Sequence, residues 1–482
     1  VKTHKLYIAG EYVDSTSTET IDVINPSTEE IISRIANGSE EDANKAIDAA
    51  YEAQKSWKKV PSNERGKMVR ELGDALKKER ETFIRLLMEE QGKSYELATG
   101  EVDTAIDYFY YMSEWGRKIE GEIVPSDQTN EQIFIHKKPI GVIAGIVPWN
   151  FPVFILARKV ATALIAGCTI VLKPSHQTPN TTAKFNELVH KSRLPKGVYN
   201  YVTGKGSEIG NVMASHPKVS MVTMTGSVKA GTKVMEAAAQ QITKVNLELG
   251  GKAPAIVTKH ADLDVAVESI KTSRLTNSGQ ACTNAERVYV HEDVSDEFIL
   301  KMVDAMKNST YGNPLEDKEA DIGPLISNDH LEGVYDMVKE AVKDGATILT
   351  GGQPADVEKG FFFEPTVLKD VKHDTPIMKE EIFGPVLPIT TYRDFDEVIR
   401  MANDSEYGLS SSIYSENYHE VMRATAELEY GETFVNRENF EAIQGYHAGM
   451  RKSGLGGADG KHGLDDYLVT HVVYMQYKED KE

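Results

Sequence analysis

Cys282 stands at the end of Asn277-Ser278-Gly279-Gln280-Ala281-Cys282, a polar, Gly-containing segment unlike the surroundings of a core thiol. A thiolate nucleophile needs access and nearby donors, and this context offers both. The other cysteine, Cys168, opens the apolar run Cys-Thr-Ile-Val-Leu and is expected to be packed and inert. Glu248 lies in Leu247-Glu248-Leu249-Gly250-Gly251-Lys252, after a strand-like run and before a glycine pair. A lone glutamate is normally a solvated charge, but at the end of a strand in a ligand-binding sheet it suits a general base. No basic partner for it is evident in the sequence.

Three other segments have the makings of a phosphate site. Gly204-Lys205-Gly206-Ser207-Glu208-Ile209-Gly210 is one residue longer than the dinucleotide fingerprint. Thr225-Gly226-Ser227 would open a helix whose free N–H groups can accept a pyrophosphate. Lys173-Pro174-Ser175 brings a cation to a third strand end. Each alone is ordinary turn chemistry. Three at successive strand ends favour a nucleotide crevice.

These segments need a scaffold. From Gly141 the rhythm is strand, helix, strand: Gly141–Val147, a helix over Val153–Ile165, then Cys168–Leu172, Tyr199–Thr203 and Val219–Thr225 as strands. Such alternation predicts a parallel sheet with helices on both faces and ligands at the carboxyl ends of its strands. Glu248 would follow a strand over Thr243–Leu247. A second alternating region runs from Ala253 to about Val435. Ahead of both come small strands, then a helix over Ser39–Trp57 with Ser39 and Asp42 as its cap. One long helix is expected from Ser62 to roughly Met88, and another from Tyr95 to Gly116. Ile119–Lys138 reads as a hairpin-like excursion, and Tyr467–Tyr477 as a strand.

The chain has 482 residues, too many for one ordinary core. Its net charge of −20 would repel a phosphate backbone, so nucleic acid is not an expected partner. Apolar stretches are broken well short of the ~20 residues that span a bilayer, so no membrane role is expected. No signal-peptide pattern is evident, and two cysteines cannot build a disulfide framework, so a cytoplasmic location is expected.

Pro148-Trp149-Asn150-Phe151-Pro152, Lys173-Pro174-Ser175, Thr225-Gly226-Ser227, Leu247–Lys252, Gly279–Cys282 and Glu381-Ile382-Phe383-Gly384-Pro385, in this order and spacing, resemble the aldehyde dehydrogenase superfamily from about Tyr7 to Tyr477. Within it, Asn436–Glu441 and Tyr446–Gly449 are similar to lactaldehyde and glycolaldehyde dehydrogenases. The resemblance implies an α/β fold with two Rossmann-like parallel-sheet domains: a cofactor-binding domain from 1–117 and 139–251, and a catalytic domain from 252–464. A small β oligomerisation element, 118–138 and 465–482, would pair subunits into a homodimer or homotetramer.

By the same resemblance Cys282 is the nucleophile, Asn150 an oxyanion donor, Glu248 the base for thioester hydrolysis and Lys159 a proton shuttle. NAD, or NADP, would be held by Trp149, Lys173, Ser175, His176, Gly206, Gly226, Ser227, Leu249, Glu381 and Phe383. No metal is implied. Arg158, Glu441 and His447 would face the substrate, a small polar aldehyde. Many NAD-using relatives carry glutamate where His176 stands, so repulsion of a 2′-phosphate is lost here. Many also carry an acid where Gly457-Ala458-Asp459 stands, so a proton relay there is expected to be absent or rerouted. Succinate semialdehyde is the rival substrate. A coenzyme-A-acylating enzyme and a non-catalytic scaffold are rival classes, and the joint presence of Cys282, Asn150 and Glu248 speaks against the scaffold.

Overall fold

The computed structural model describes residues 1–478; residues 479–482, the end of the expected 465–482 segment, lie outside the described residues. An eight-stranded sheet runs in the order Gly454–Leu455, Lys244–Glu248, Met221–Thr225, Val142–Ile146, Thr169–Lys173, Tyr199–Tyr201, Leu6–Ile8, Glu11–Val13. Its five central strands are parallel. The chain winds outward from Val142–Ile146 in both directions, so the order reverses between that strand and Met221–Thr225. Open parallel sheets bind ligands at such a reversal, beyond the carboxyl ends of the strands. Pro148-Trp149-Asn150 and Gly226-Ser227 follow those two ends.

The second sheet has seven strands: Thr347–Thr350, Thr366–Lys369, Val386–Tyr392, Ala285–His291, Ala253–Val257, Ser410–Tyr414, Glu432–Val435. All its pairs are parallel except the first. Both sheets are buried on both faces, which explains strands as apolar as Val142–Ile146. Gly454–Leu455 lies inside the segment assigned to the catalytic domain, yet it pairs antiparallel with Lys244–Glu248 in the other sheet. The chain thus crosses back between the sheets beside Glu248.

Ser39 caps the helix Glu40–Trp57 reciprocally with Asp42, as expected. The long helix expected from Ser62 is two helices, Ser62–Lys78 and Arg80–Glu90. Glu79 leaves helical geometry between them. The turn lets Phe83, Ile84 and Leu87 bury against the same core as Leu72 and Leu76. The next helix, Tyr95–Ser113, tightens into a 3-10 turn at Glu114–Arg117. Glu122–Val124 and Glu131–Pro139 form the expected hairpin, and Leu468–Gln476 pairs antiparallel along its longer strand.

Candidate active site

The Cys282 loop is built by its polar residues. Asn277, Ser278 and Gly279 take three successive positive φ values. Gly279 is required here, because a Cβ would overlap the Gly384 carbonyl. Gln280 folds its amide inward, donating to the Asn277 carbonyl at 2.9 Å and accepting from Ile326 N–H at 2.9 Å. Arg274 donates to the Gly279 carbonyl at 2.6 Å. The segment's polarity therefore satisfies buried backbone, while Cys282 at its end stays partly open. Cys168 is fully buried, as expected, and burial pushes its thiol up to about 11.

Asn150 sits opposite. Its side-chain amide donates to the Gln280 carbonyl at 3.0 Å, leaving a second N–H for a ligand. Its own carbonyl accepts from Lys93 Nζ at 2.6 Å and from Asn277 at 3.1 Å. Lys93 is paired with Glu101, both side chains fully buried, and Glu101 accepts from Val153 N–H and Phe154 N–H at the start of the helix Pro152–Ala166.

That helix carries Arg158 and Lys159, and both reach Glu248, correcting the expectation that it lacks a basic partner. Glu248 Oε2 accepts from Thr225 at 2.7 Å and Lys159 at 3.2 Å; Oε1 accepts from Arg158 at 3.4 Å. Burial pushes this carboxyl up, but Lys159 and Arg158 overcome it and hold it at about 2. Lys159 also donates to Thr223 at 2.9 Å. Arg158, 3% exposed, donates to Asp459 at 2.6 and 2.9 Å and to Glu441 at 3.2 Å. Four of its five donors thus face carboxylates. Asp459 shares Arg158 with Glu248, and burial raises its carboxyl to about 6 despite Arg158. His447 is buried, with Nδ1 3.1 Å from Glu432 Oε2. A cavity of about 640 Å³ is lined by Asn150, Phe154, Arg158, Cys282, Glu441 and His447.

The residues expected to hold a dinucleotide lie around the strand ends of the first sheet. Lys173 is buried with no carboxylate partner among the described residues; it donates to the Pro174 carbonyl at 3.0 Å, and burial lowers it to about 8. Ser175 accepts from Gln177 N–H, and burial together with Lys173 lowers His176. Ser227 caps the helix Val228–Ala239 through Ala230 N–H, and Gly226 precedes it. A Cβ on Gly206 would meet nothing within 4 Å, and Leu249 packs on Gly231. Glu381 accepts from Gly251 N–H at 2.8 Å; burial and nearby Glu286 raise it to about 8. Trp149 meets Phe383 edge-on at 5.5 Å. A cation without a counter-charge, a helix start, an open glycine turn and a ring pair fit an anionic, hydroxyl-rich ligand with a planar end.

The sequence reading missed Asp459, Glu432, Lys93, Glu101 and Glu286. Glu286 accepts from Ile382 and Phe383 N–H groups and so fixes the Glu381 loop. Their only local signal is a charge beside an apolar run, as in Ala285-Glu286-Arg287-Val288.

The family model described as "Aldehyde dehydrogenase family" matches residues 12–473. Lactaldehyde dehydrogenase of Escherichia coli is 50% identical over 98% of this chain and 98% of its own. A crystal structure of the Escherichia coli lactaldehyde dehydrogenase superposes with a TM-score of 0.98, covering 99% of this chain and 100% of that one. D-glyceraldehyde dehydrogenase (NADP(+)) of Thermoplasma acidophilum is 39% identical over 98% of this chain and 96% of its own. A family model matched over nearly the whole chain, and relatives matched along nearly their full length, make this chain a member of the aldehyde dehydrogenase family, an enzyme that oxidises aldehydes.

Proposed function

We propose that the enzyme oxidises a small hydroxyaldehyde, with lactaldehyde and glycolaldehyde as type substrates, to its carboxylate through a thioester on Cys282. The observation that carries the substrate class is the state of Arg158. Its guanidinium is spent on Asp459, Glu441 and Glu248, so it has little charge left to attract a substrate carboxylate. Glu441 and His447 instead offer the cavity an acceptor and a donor suited to a neutral hydroxyl. This arrangement disfavours succinate semialdehyde. It also revises the expected part of Arg158, which acts by holding Glu441 and Asp459 rather than by gripping substrate. The 50% identical relative named for lactaldehyde supports the same class.

In this reading Cys282 Sγ adds to the carbonyl carbon, and the oxyanion rests on the free Asn150 N–H and the Cys282 backbone N–H. Removing one such donor typically costs about 3–4 kcal/mol. NAD, or NADP, when bound would supply the hydride acceptor, and Lys173, Ser175, Gly206, Ser227 and Glu381, with the Trp149 and Phe383 rings, would hold it. Glu248 aligns the water that hydrolyses the thioester, and Lys159 passes the proton on through Thr223. His176 places no negative charge near the ribose, so NADP is tolerated. The two large sheets serve as cofactor and catalytic domains. The sheet containing Leu468–Gln476, with Ile123 and Tyr474 strongly exposed, joins subunits into a dimer or tetramer.

The experiment is a substrate panel with both cofactors. Lactaldehyde should exceed propanal, and glycolaldehyde exceed acetaldehyde, in kcat/KM, because polar groups left unpaired penalise the analogue lacking the hydroxyl. In the same assays His176→Glu should lower the NADP/NAD ratio. Succinate semialdehyde as the best substrate would overturn the assignment.

A further inference from the structure

Asn439 is the buried amide of the loop 436–446, and its side chain has nothing to bond. Its neighbours Arg437 and Phe440 are exposed, while Asn439 is 4% exposed and lines the cavity that holds Cys282. Both Oδ1 and Nδ2 are shielded from solvent without a hydrogen-bond partner. The other buried asparagines along the cavity are engaged. Asn150 donates to the Gln280 carbonyl at 3.0 Å, Asn277 to the Asn150 carbonyl at 3.1 Å, and Asn284 to the Thr276 carbonyl at 3.0 Å. An amide buried with neither end paired is disfavoured, because water satisfies both ends in the unfolded chain.

The backbone that carries this amide is fixed. Phe440 N–H donates to the Glu438 carbonyl at 3.0 Å, which puts Asn439 at the tip of a three-residue turn. Arg437 clamps the turn, donating to the Glu438 carboxylate at 2.9 Å and to the Phe440 carbonyl at 3.0 Å. Tyr414, closing the strand Ser410–Tyr414, donates to the Arg437 carbonyl at 2.9 Å and ties the turn to the second sheet. Only the side chain is left to respond to a ligand. The χ2 torsion of asparagine is soft, so the amide can swing toward the cavity at little cost.

Hydrogen-bonding capacity decides what it can meet there. An amide has an acceptor oxygen and two N–H donors, whereas a hydroxyl has one proton and two lone pairs. Glu441 lines the same cavity; Arg158 takes its Oε1 at 3.2 Å, and Oε2 is left to accept. A substrate hydroxyl that gives its only proton to Glu441 has none for Asn439, so Oδ1 calls for a second hydroxyl. A cavity of about 640 Å³ has room for a molecule that carries two.

We propose that Asn439 is a specificity residue that pairs with a second substrate hydroxyl, so that the enzyme favours 2,3-dihydroxyaldehydes over their 2-hydroxy analogues. Oδ1 accepts from that hydroxyl, and Nδ2 donates to a lone pair of either hydroxyl oxygen. Asn439 touches no reacting atom in this arrangement, so its effect falls on substrate choice. The inference rests on the small-hydroxyaldehyde reading and narrows it.

The test compares glyceraldehyde with lactaldehyde, which has a methyl in place of the second hydroxyl, and lactaldehyde with propanal. Wild type should favour glyceraldehyde over lactaldehyde by about tenfold or more in kcat/KM, because the methyl leaves the amide unpaired. Asn439→Leu has a similar branched shape and no polar atoms. It should cancel or reverse that ratio while changing the ratio of lactaldehyde to propanal by less than about threefold. A ratio of two substrates in one sample does not depend on how much of the variant is active, so a purely structural role would leave it in place. Asn439→Ala carries the same expectation should the leucine variant fold poorly. Equal kcat/KM for glyceraldehyde and lactaldehyde in the wild type, or a preference that survives both substitutions, overturns the proposal. Propanal matching lactaldehyde in the wild type would instead sink the hydroxyaldehyde reading on which it rests.

Discussion

Cys282 and Cys168 are the same residue in two environments, and the environments decide what each can do. Cys168 packs under Tyr467, whose carbonyl accepts its S–H at 3.4 Å, and has no route to a substrate. Cys282 ends a loop whose every polar neighbour is tied inward, which leaves sulfur as the group facing the cavity. Cys282→Ala should abolish turnover with cofactor binding intact, as read by dehydrogenase assay and fluorescence titration. Cys168→Ala should keep activity. Glu248→Gln should release one equivalent of reduced cofactor and then stall as acyl-enzyme, visible as a burst with added enzyme mass. Normal turnover without a burst would assign the water to another group. Cys282 and Glu248, the proposed nucleophile and base, stood out in the sequence because their segments are unusual: a polar run before a thiol, an acid before paired glycines. Asp459 and Glu432 were not, because their meaning lies in partners that sequence separates. Asp459 meets Arg158 across 301 positions, and nothing local to either residue announces the other.

Elements explain why these side chains hold their positions. The helix Pro152–Ala166 is buried along its whole length, and it was legible from sequence as an apolar run stopped by Ala166-Gly167. Its anchor was not. Glu101, from the helix Tyr95–Ser113, accepts from the first N–H groups of Pro152–Ala166 and pairs with Lys93, which in turn holds the Asn150 carbonyl and lies 3.7 Å from the centroid of the Phe151 ring. A charge inside an amphipathic helix normally reads as a solvated face. Here it fixes Asn150, the proposed oxyanion donor. Removing one member of a buried pair strands the other charge, at a cost of about 3–5 kcal/mol. Glu101→Gln should therefore lower the melting temperature and reduce kcat more than it raises KM, because Asn150 loses its alignment. Equal losses in a Lys93→Met, Glu101→Gln double variant and in the single variant would fit one coupled unit, whereas additive losses would show the two residues act separately. The break at Glu79 was equally hidden, since both halves carry the same helical period and only packing against the core requires the turn.

For the whole molecule, buried carboxyls fall into two groups with opposite effects on stability. Glu248 and Glu286 are held at about 2, so what they contribute is present above their unfolded value and is lost as pH falls toward 2. Glu90 behaves in the reverse way. It is fully buried, and burial pushes it up to about 7, with Glu101 adding to the rise. Bonds from Asn180 N–H at 2.6 Å, Thr181 N–H at 3.0 Å and Thr181 Oγ1 at 2.6 Å favour the ionised form but do not outweigh burial. Between the unfolded value and about 7 the folded chain therefore binds a proton that the unfolded chain has released. Stability must fall as pH rises through that window, by about 3 kcal/mol for a shift of this size. Glu90→Gln cannot titrate, so it should remove this slope while keeping an oxygen for the helix start. Melting temperatures of wild type and variant from about pH 5 to pH 8 isolate the effect, because Asp459 and Glu381 titrate in both proteins alike. The variant should melt below wild type at the acid end, and the gap should close or reverse toward pH 8. A gap that stays constant across the range would mean that Glu90 ionises at an ordinary value, and that the backbone N–H groups and Thr181 at the start of Asn180–Lys191 offset its burial after all.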